Sequence, residues 1–190
     1  MRARVRDESG FGLIELLMAI TILNVGVLAI VAAFNAGIFA IKRASQVSTA
    51  AVLADQQLEK FRAVTYDKIG LDSSLLSSVN STYTCDTALG SGACPRSTSG
   101  ETTMTCSPVV DTCTPWRTVT GPDRHQYAVA TYIFTENPVA TARQVRRVVV
   151  VVRDGLTTSK VLARESSSFD CSTGLPGGST PPSSTYCPST

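Results

Sequence analysis

The sequence predicts an α+β protein: one long amino-terminal helix packed on a small antiparallel β-sheet, with disulfide-bearing loops between them. Three observations carry that prediction. Residues 11–41 form an apolar run with a single formal charge, Glu15. Behind it Val47, Ala51, Ala54, Leu58 and Phe61 recur at spacings of four, three, four and three, one stripe of a helix. Farther on, residues 127–135 (YAVATYIFT) and 145–153 (VRRVVVVVR) are β-branched and aromatic runs that read as strands.

The apolar run comes first. As a helix its 31 residues span about 46 Å, against roughly 30 Å for a bilayer's hydrocarbon core. It therefore reads as a single membrane-spanning helix. Residues 1–10 form a short leader with Arg2, Arg4 and Arg6, which favours a cytoplasmic amino terminus. Lys42 and Arg43 pull the other way, and the downstream cysteines, which want the outside, break the tie. A secretory signal has a shorter core and a small-residue cleavage site after it, unlike this segment. Glu15 is the strange residue, since a carboxylate near a membrane helix centre costs about 2.5–3.5 kcal/mol. Near the helix end the cost falls, and Glu15 either reaches the headgroups or meets a positive charge from another molecule.

Residues 10–20, GFGLIELLMAI, resemble the prepilin cleavage and methylation motif of type IV pilins and type II secretion pseudopilins. The resemblance extends over the leader and the helix to about Asp67; beyond it only the general layout agrees. It implies a pilin-like fold, cleavage after Gly10 by a prepilin peptidase and N-methylation of the new Phe11 amine. It also implies that Glu15 helps subunits enter a filament, with other pilin subunits, membrane lipid and an inner-membrane assembly machinery as partners. Gly12 stands where Thr is common, and Ala32 where many major pilins carry a helix-breaking proline. The latter favours a minor pilin or pseudopilin, and residues 53–67 (LADQQLEKFRAVTYD) resemble V-type minor pilins. Elementary electrostatics agrees with the implied role of Glu15. Cleavage would leave a lone ammonium and a lone carboxylate in low dielectric, and each gains from pairing. Small residues at Gly26, Ala29, Ala33 and Gly37 would permit close helix contacts.

Residues 42–70 are expected to continue the helix as an amphipathic extension ending between Val64 and Gly70. Residues 71–125 form a Ser-, Thr- and Gly-rich loop region broken by Pro95, Pro108, Pro115 and Pro122. Short strands around residues 82–85 and 102–106 are expected there, with Trp116 as a core plug, the more usual role, or an exposed contact. The tripeptide Asn80-Ser81-Thr82 fits an N-glycosylation sequon, a pattern frequent by chance.

The cysteines are Cys85, Cys94, Cys106, Cys113, Cys171 and Cys187, with no C-x-x-C among them. An even count in polar surroundings reads as disulfides formed in an oxidising compartment, not as zinc ligands. Spacing does not choose among the pairings. Sequence-local closure would give Cys85–Cys94, Cys106–Cys113 and Cys171–Cys187.

Residues 126–170 should form the antiparallel sheet. The run 148–152 is apolar on both faces and belongs in a central strand beneath the amphipathic half-helix. Asp154-Gly155 opens a turn into a strand over residues 158–166. Arg143, Arg146, Arg147 and Arg153 would make a nucleic-acid patch or, the reading preferred, flank the strand as solvated gatekeepers. Residues 171–190 are an irregular Gly/Pro/Ser/Thr-rich tail.

Composition narrows the function. The chain has 190 residues, 17% charged and 43% hydrophobic, with formal charge +2. That is too apolar for disorder and too weakly charged for a dedicated nucleic-acid binder. His125 is the one histidine, and no nucleophile elbow or phosphate loop is present. The expected protein is no enzyme and needs no cofactor or metal. It reads as a structural minor pilin of a type IV pilus, anchored in the inner membrane, with its exported domain reaching the cell surface on assembly. The alternatives are a type II secretion pseudopilin of the I-type and a pilus-tip adhesin or DNA-uptake module binding DNA or a surface ligand.

Overall fold

The computed structural model describes residues 12–90, 101–136 and 144–170. The expectations for the leader, Gly10, Phe11, Cys94, Arg143, Cys171, Cys187 and the tail lie outside them. The chain forms two units, residues 1–44 and residues 45–190.

In the first unit the described chain is α-helix from Leu13 onward, the start of α1 (Leu13–Arg62). Every described side chain through Ala44 is exposed, Leu13 and Phe39 by 81% and 72%. No proline interrupts α1, and its long and small apolar residues lose little freedom in a helix. Thr21 returns its hydroxyl to Met18 O at 2.8 Å, which keeps this polar group satisfied without any partner outside the helix.

In the second unit α1 becomes one-sided. Ala50, Leu53, Ala54, Gln57, Leu58 and Phe61 are buried, at i, i+3, i+4 and i+7 spacing. The expected stripe began one step off: Val47 is 41% exposed, and Ala50, Leu53 and Gln57 take the inner positions. The polar character of Gln57 hid it, because the stripe was read from apolar residues alone. The helix ends at Arg62, before the expected window. Thr65 turns extended (φ −72°, ψ 153°) and leads into a 3-10 turn, Tyr66–Lys68.

The sheet is an antiparallel meander of β3 (Trp116–Thr120), β4 (Gln126–Glu136), β5 (Val145–Asp154) and β6 (Val161–Asp170), in that order. Val148 to Val152 of β5 are buried to within 1%, between β4 and β6. Their two-sided apolarity is explained by two coverings. On one face Phe169 meets Phe61 of α1, ring centroids 6.5 Å apart, and Arg117 reaches Gln57. On the other, Tyr132 stacks on Tyr83 at 4.4 Å.

Tyr83 belongs to the excursion between α1 and β3. It comprises β1 (Leu71–Asp72), α2 (Ser73–Leu76), α3 (Ser81–Thr84), a 3-10 turn at Thr87–Leu89 and β2 (Thr103–Met104), which pairs parallel with β1. Three expectations are corrected here. Residues 82–85 are not a strand: Asn80 caps a helical turn by accepting from Tyr83 N at 2.9 Å. A fourth strand, β3, arises inside the supposed loop region, and Trp116 on it is only half-buried against the core. The last strand starts at Val161 and not at Thr158, because Asp154 holds the intervening turn through the N–H groups of Leu156 and Thr157.

Candidate functional site: the start of the apolar helix

Gly12 is the first described residue, and its carbonyl accepts from Glu15 N at 2.9 Å and Leu16 N at 3.2 Å. Glu15 therefore lies in the first turn of α1, where free N–H groups and the helix dipole favour a negative charge. Its carboxylate is exposed between Ile14 and Leu16, themselves exposed by 68% and 56%. Among the described residues it has no ion pair and no side-chain hydrogen bond. The described helix thus starts at Leu13 with an unmatched acid in its first turn. A Cβ on Gly12 would lie 3.8 Å from Ile14 Cγ2, ordinary contact, so glycine is not required there.

Farther along the same unit, Ala33 and Gly37 leave a recess lined by Ile30, Phe34, Ile38 and Ile41. A Cβ on Gly26 or Gly37 would meet nothing within 4 Å. The small residues expected to permit close approach stand on open surface. Chemically this unit offers an apolar rod, one carboxylate and shallow notches: a surface for lipid or for other helices. The helix is long and apolar enough to cross a membrane.

The remaining sequence-predicted residues lie in the second unit. Cys106 and Cys113 form a disulfide, and Cys85 is disulfide-bonded too. The closed loop carries Asp111, which pairs with Lys60 and, at 3.0 Å, with Arg117, while its carbonyl accepts from Gln57 Nε2. Lys60 and, secondarily, Arg117 hold the Asp111 carboxyl below its ordinary pKa against the cost of burial.

The expectation of solvated flanking arginines fails for Arg146 and Arg153 and holds for Arg147. Arg153 is 2% exposed, paired with the fully buried Asp86 carboxylate and donating to the Thr158 carbonyl at 2.8 Å. Asp86 also accepts from Tyr132 at 2.7 Å and caps the Thr87–Leu89 turn. Arg146 lies over the Tyr66 ring at 4.5 Å and donates to the carbonyls of Tyr66 and Ile69. Arg147 pairs with Glu136 at 2.8 Å. Arg146 and Arg153 are internal clamps, whereas Arg147 is exposed on the strand and neutralised by Glu136. Asp86 lies 67 residues from Arg153, so no local pattern could have revealed the pair. Among the described residues no three His, Cys, Asp or Glu side chains gather as a metal site.

The model of the prokaryotic N-terminal methylation motif matches residues 5–31. Neither the curated proteins nor the solved structures give a match. The motif supports a chain cut by a prepilin peptidase and assembled with other pilin subunits, a pilin or pseudopilin. Set on a long helix that packs on a small antiparallel sheet, it supports the type IV pilin-like family for this chain.

Proposed function

We propose that the chain is a minor pilin of a type IV pilus, a structural subunit and not an enzyme. In this reading cleavage falls between Gly10 and Phe11, and Glu15 receives the methylated Phe11 amine of an adjacent subunit during assembly. The observation that carries it is the exposed, unmatched Glu15 in the first turn of α1, the one charge of its apolar stretch and inside the matched motif. The absence of proline from α1 favours a minor subunit over the main filament protein, as does the resemblance of residues 53–67. The amino terminus stays cytoplasmic until assembly, and the cysteine-bearing unit is exported.

The test is the mature amino terminus by mass spectrometry after co-expression with a prepilin peptidase. The expected chain begins at methylated Phe11; an intact Met1 or a cut beyond Ile41 overturns the reading. A type II secretion pseudopilin has the same motif and helix. Recovery of the protein in sheared surface pili separates the two, since the pseudopilin would stay with the cell envelope. A DNA-uptake role has less support, because Arg146, Arg147 and Arg153 are committed within the chain.

A further inference from the structure

At one end of the sheet, the turn between β3 and β4 and the turn between β5 and β6 are pressed together. A Cβ on Gly155 would come 2.6 Å from Gln126 O, and one on Gly121 would come 2.7 Å from Tyr127 Cε2. The approach at Gly155 is to backbone and excludes any other residue, while at Gly121 the Asp123 carboxylate, at 2.6 Å, and the Tyr127 ring would have to shift. Gly155 N donates to Gln126 O at 2.8 Å, and Gly121 N to His125 O at 2.8 Å. His125, the one histidine of the chain, sits at this junction with 17% of its side chain exposed.

Its Nε2 lies 3.1 Å from Asp154 Oδ1, and its ring meets the edge of Tyr127 at 5.1 Å. The same Asp154 oxygen accepts from Leu156 N at 3.0 Å and Thr157 N at 3.4 Å. One carboxylate oxygen therefore holds the second turn in shape and ties it to the first. That second turn carries Leu156, 78% exposed, among the most exposed apolar side chains outside the membrane-length segment.

We propose that His125 is a pH-operated clasp between these two turns. When the imidazole is protonated it forms an ion pair with Asp154 and the turn bearing Leu156 is held firmly. When the imidazole is neutral only a single hydrogen bond remains and the turn loosens. Histidine is the side chain whose charge ordinarily changes between pH 5 and 8.

The surrounding groups stay fixed over that interval. Burial opposes ionisation of Asp154, but the Leu156 and Thr157 N–H groups and the imidazole outweigh it, and the carboxyl stays below its ordinary pKa. The Tyr127 hydroxyl holds Asp123 as a carboxylate at 2.6 Å, while burial and that acid push Tyr127 up to about 12. Thr49, the neighbour from α1, does not titrate. Arg124 and Lys160 are the cations of the two turns, and neither has an ion pair among the described residues.

The experiment is amide hydrogen exchange and histidine-ring NMR on the full chain in detergent micelles, from pH 5 to pH 8. After correction for intrinsic exchange, the Leu156 and Thr157 amides should be protected about fivefold more at pH 5 than at pH 8. Their shifts should follow the midpoint of the His125 ring. His125→Gln, which retains hydrogen bonding without charge, should flatten the profile. A flat profile in the wild type, or a profile unchanged in His125→Gln, overturns the proposal. If the variant fails to fold, the shared or separate midpoints in the wild type decide.

Discussion

One helix crosses two chemical worlds in this protein. Over its first stretch Ile30 and Phe34 are 57% and 68% exposed; over its second Leu58 and Phe61 are 4% and 0% exposed. The residue types are alike, and the arrangement differs. An apolar surface all round has to find its partners in lipid or in other subunits, whereas a single stripe is covered by the chain's own sheet. The polar residues follow the same division. Gln57 is fully buried and satisfied by Asp111 and Arg117, while Glu15 has no side-chain partner among the described residues. The second unit covers its own apolar stripe; the first leaves its apolar surface exposed.

The strongest way to break that comparison is at Glu15. Glu15→Leu removes the costly group from the apolar helix, so insertion and cleavage should proceed as in wild type. If the acid meets the Phe11 amine of a neighbour, the variant should be at least about tenfold depleted from sheared pili. Equal incorporation of variant and wild type would make Glu15 a passenger, and the first unit would need no partner.

The matching operation in the second unit should weaken folding and leave processing alone. Asp86→Ala strands the Arg153 guanidinium in the core, at a cost of about 3–5 kcal/mol. Tyr132→Phe removes one hydrogen bond from the same carboxylate and should cost about 1 kcal/mol. Urea unfolding of the detergent-solubilised protein measures both. Similar values for the two would mean that the ion pair does not dominate this network.

These contrasts also show what the sequence could reveal. The methylation motif, the apolar run and the two strong strands are local patterns, and the structure places long helix and sheet where they point. The covering of the second sheet face was invisible, because residues 71–113 have no hydrophobic period. Among the described residues, 71–90 fold as short caps and turns anchored by Asp72, Asn80 and Asp86. Asn80 ahead of Ser81-Thr82-Tyr83 was a legible cap signal, and the β propensity of Thr82 and Tyr83 obscured it. Trp116–Thr120 was a legible strand, overshadowed by flanking prolines. Arg153 was not legible, since its burial depends on a carboxylate distant in sequence.

A smaller effect separates the disulfide loop from the core it serves. Replacing Cys106 and Cys113 together by serine should cost about 2 kcal/mol, the loop-closure contribution for a short loop. The loss should fall first on Asp111 and its contacts with Lys60, Gln57 and Arg117. In hydrogen exchange, β2 and the Asp111–Cys113 turn should open while β4 and β5 keep their protection. Uniform loss across the sheet would show that the loop is part of the core.

A pH dependence is expected at Asp72, and it has a definite sign. Its carboxylate accepts from the Ser74 hydroxyl and from Cys106 N at 2.9 Å, and also from Ser74 N and Leu75 N. The Ser74 hydroxyl and then the Cys106 N–H draw its pKa down to about 2 against the opposing effect of burial. An acid whose folded pKa is depressed contributes stability above its unfolded value, here an ordinary aspartate's of about 4. That contribution drains away as pH falls from about 4 through about 2. Glu165 acts in the opposite sense: burial, then its hydrogen bond with Asp55, raises its pKa, so it favours folding on the acid side. Wild type alone would therefore show a blend of both. The difference between wild type and Asp72→Asn isolates the first, because asparagine still caps Ser73–Leu76 but brings no charge to Cys106 N. Melting temperatures of the two chains should differ at pH 5 and converge toward pH 2. A gap that stays constant over that range would mean the Asp72 charge contributes nothing, and that the cap acts through shape alone.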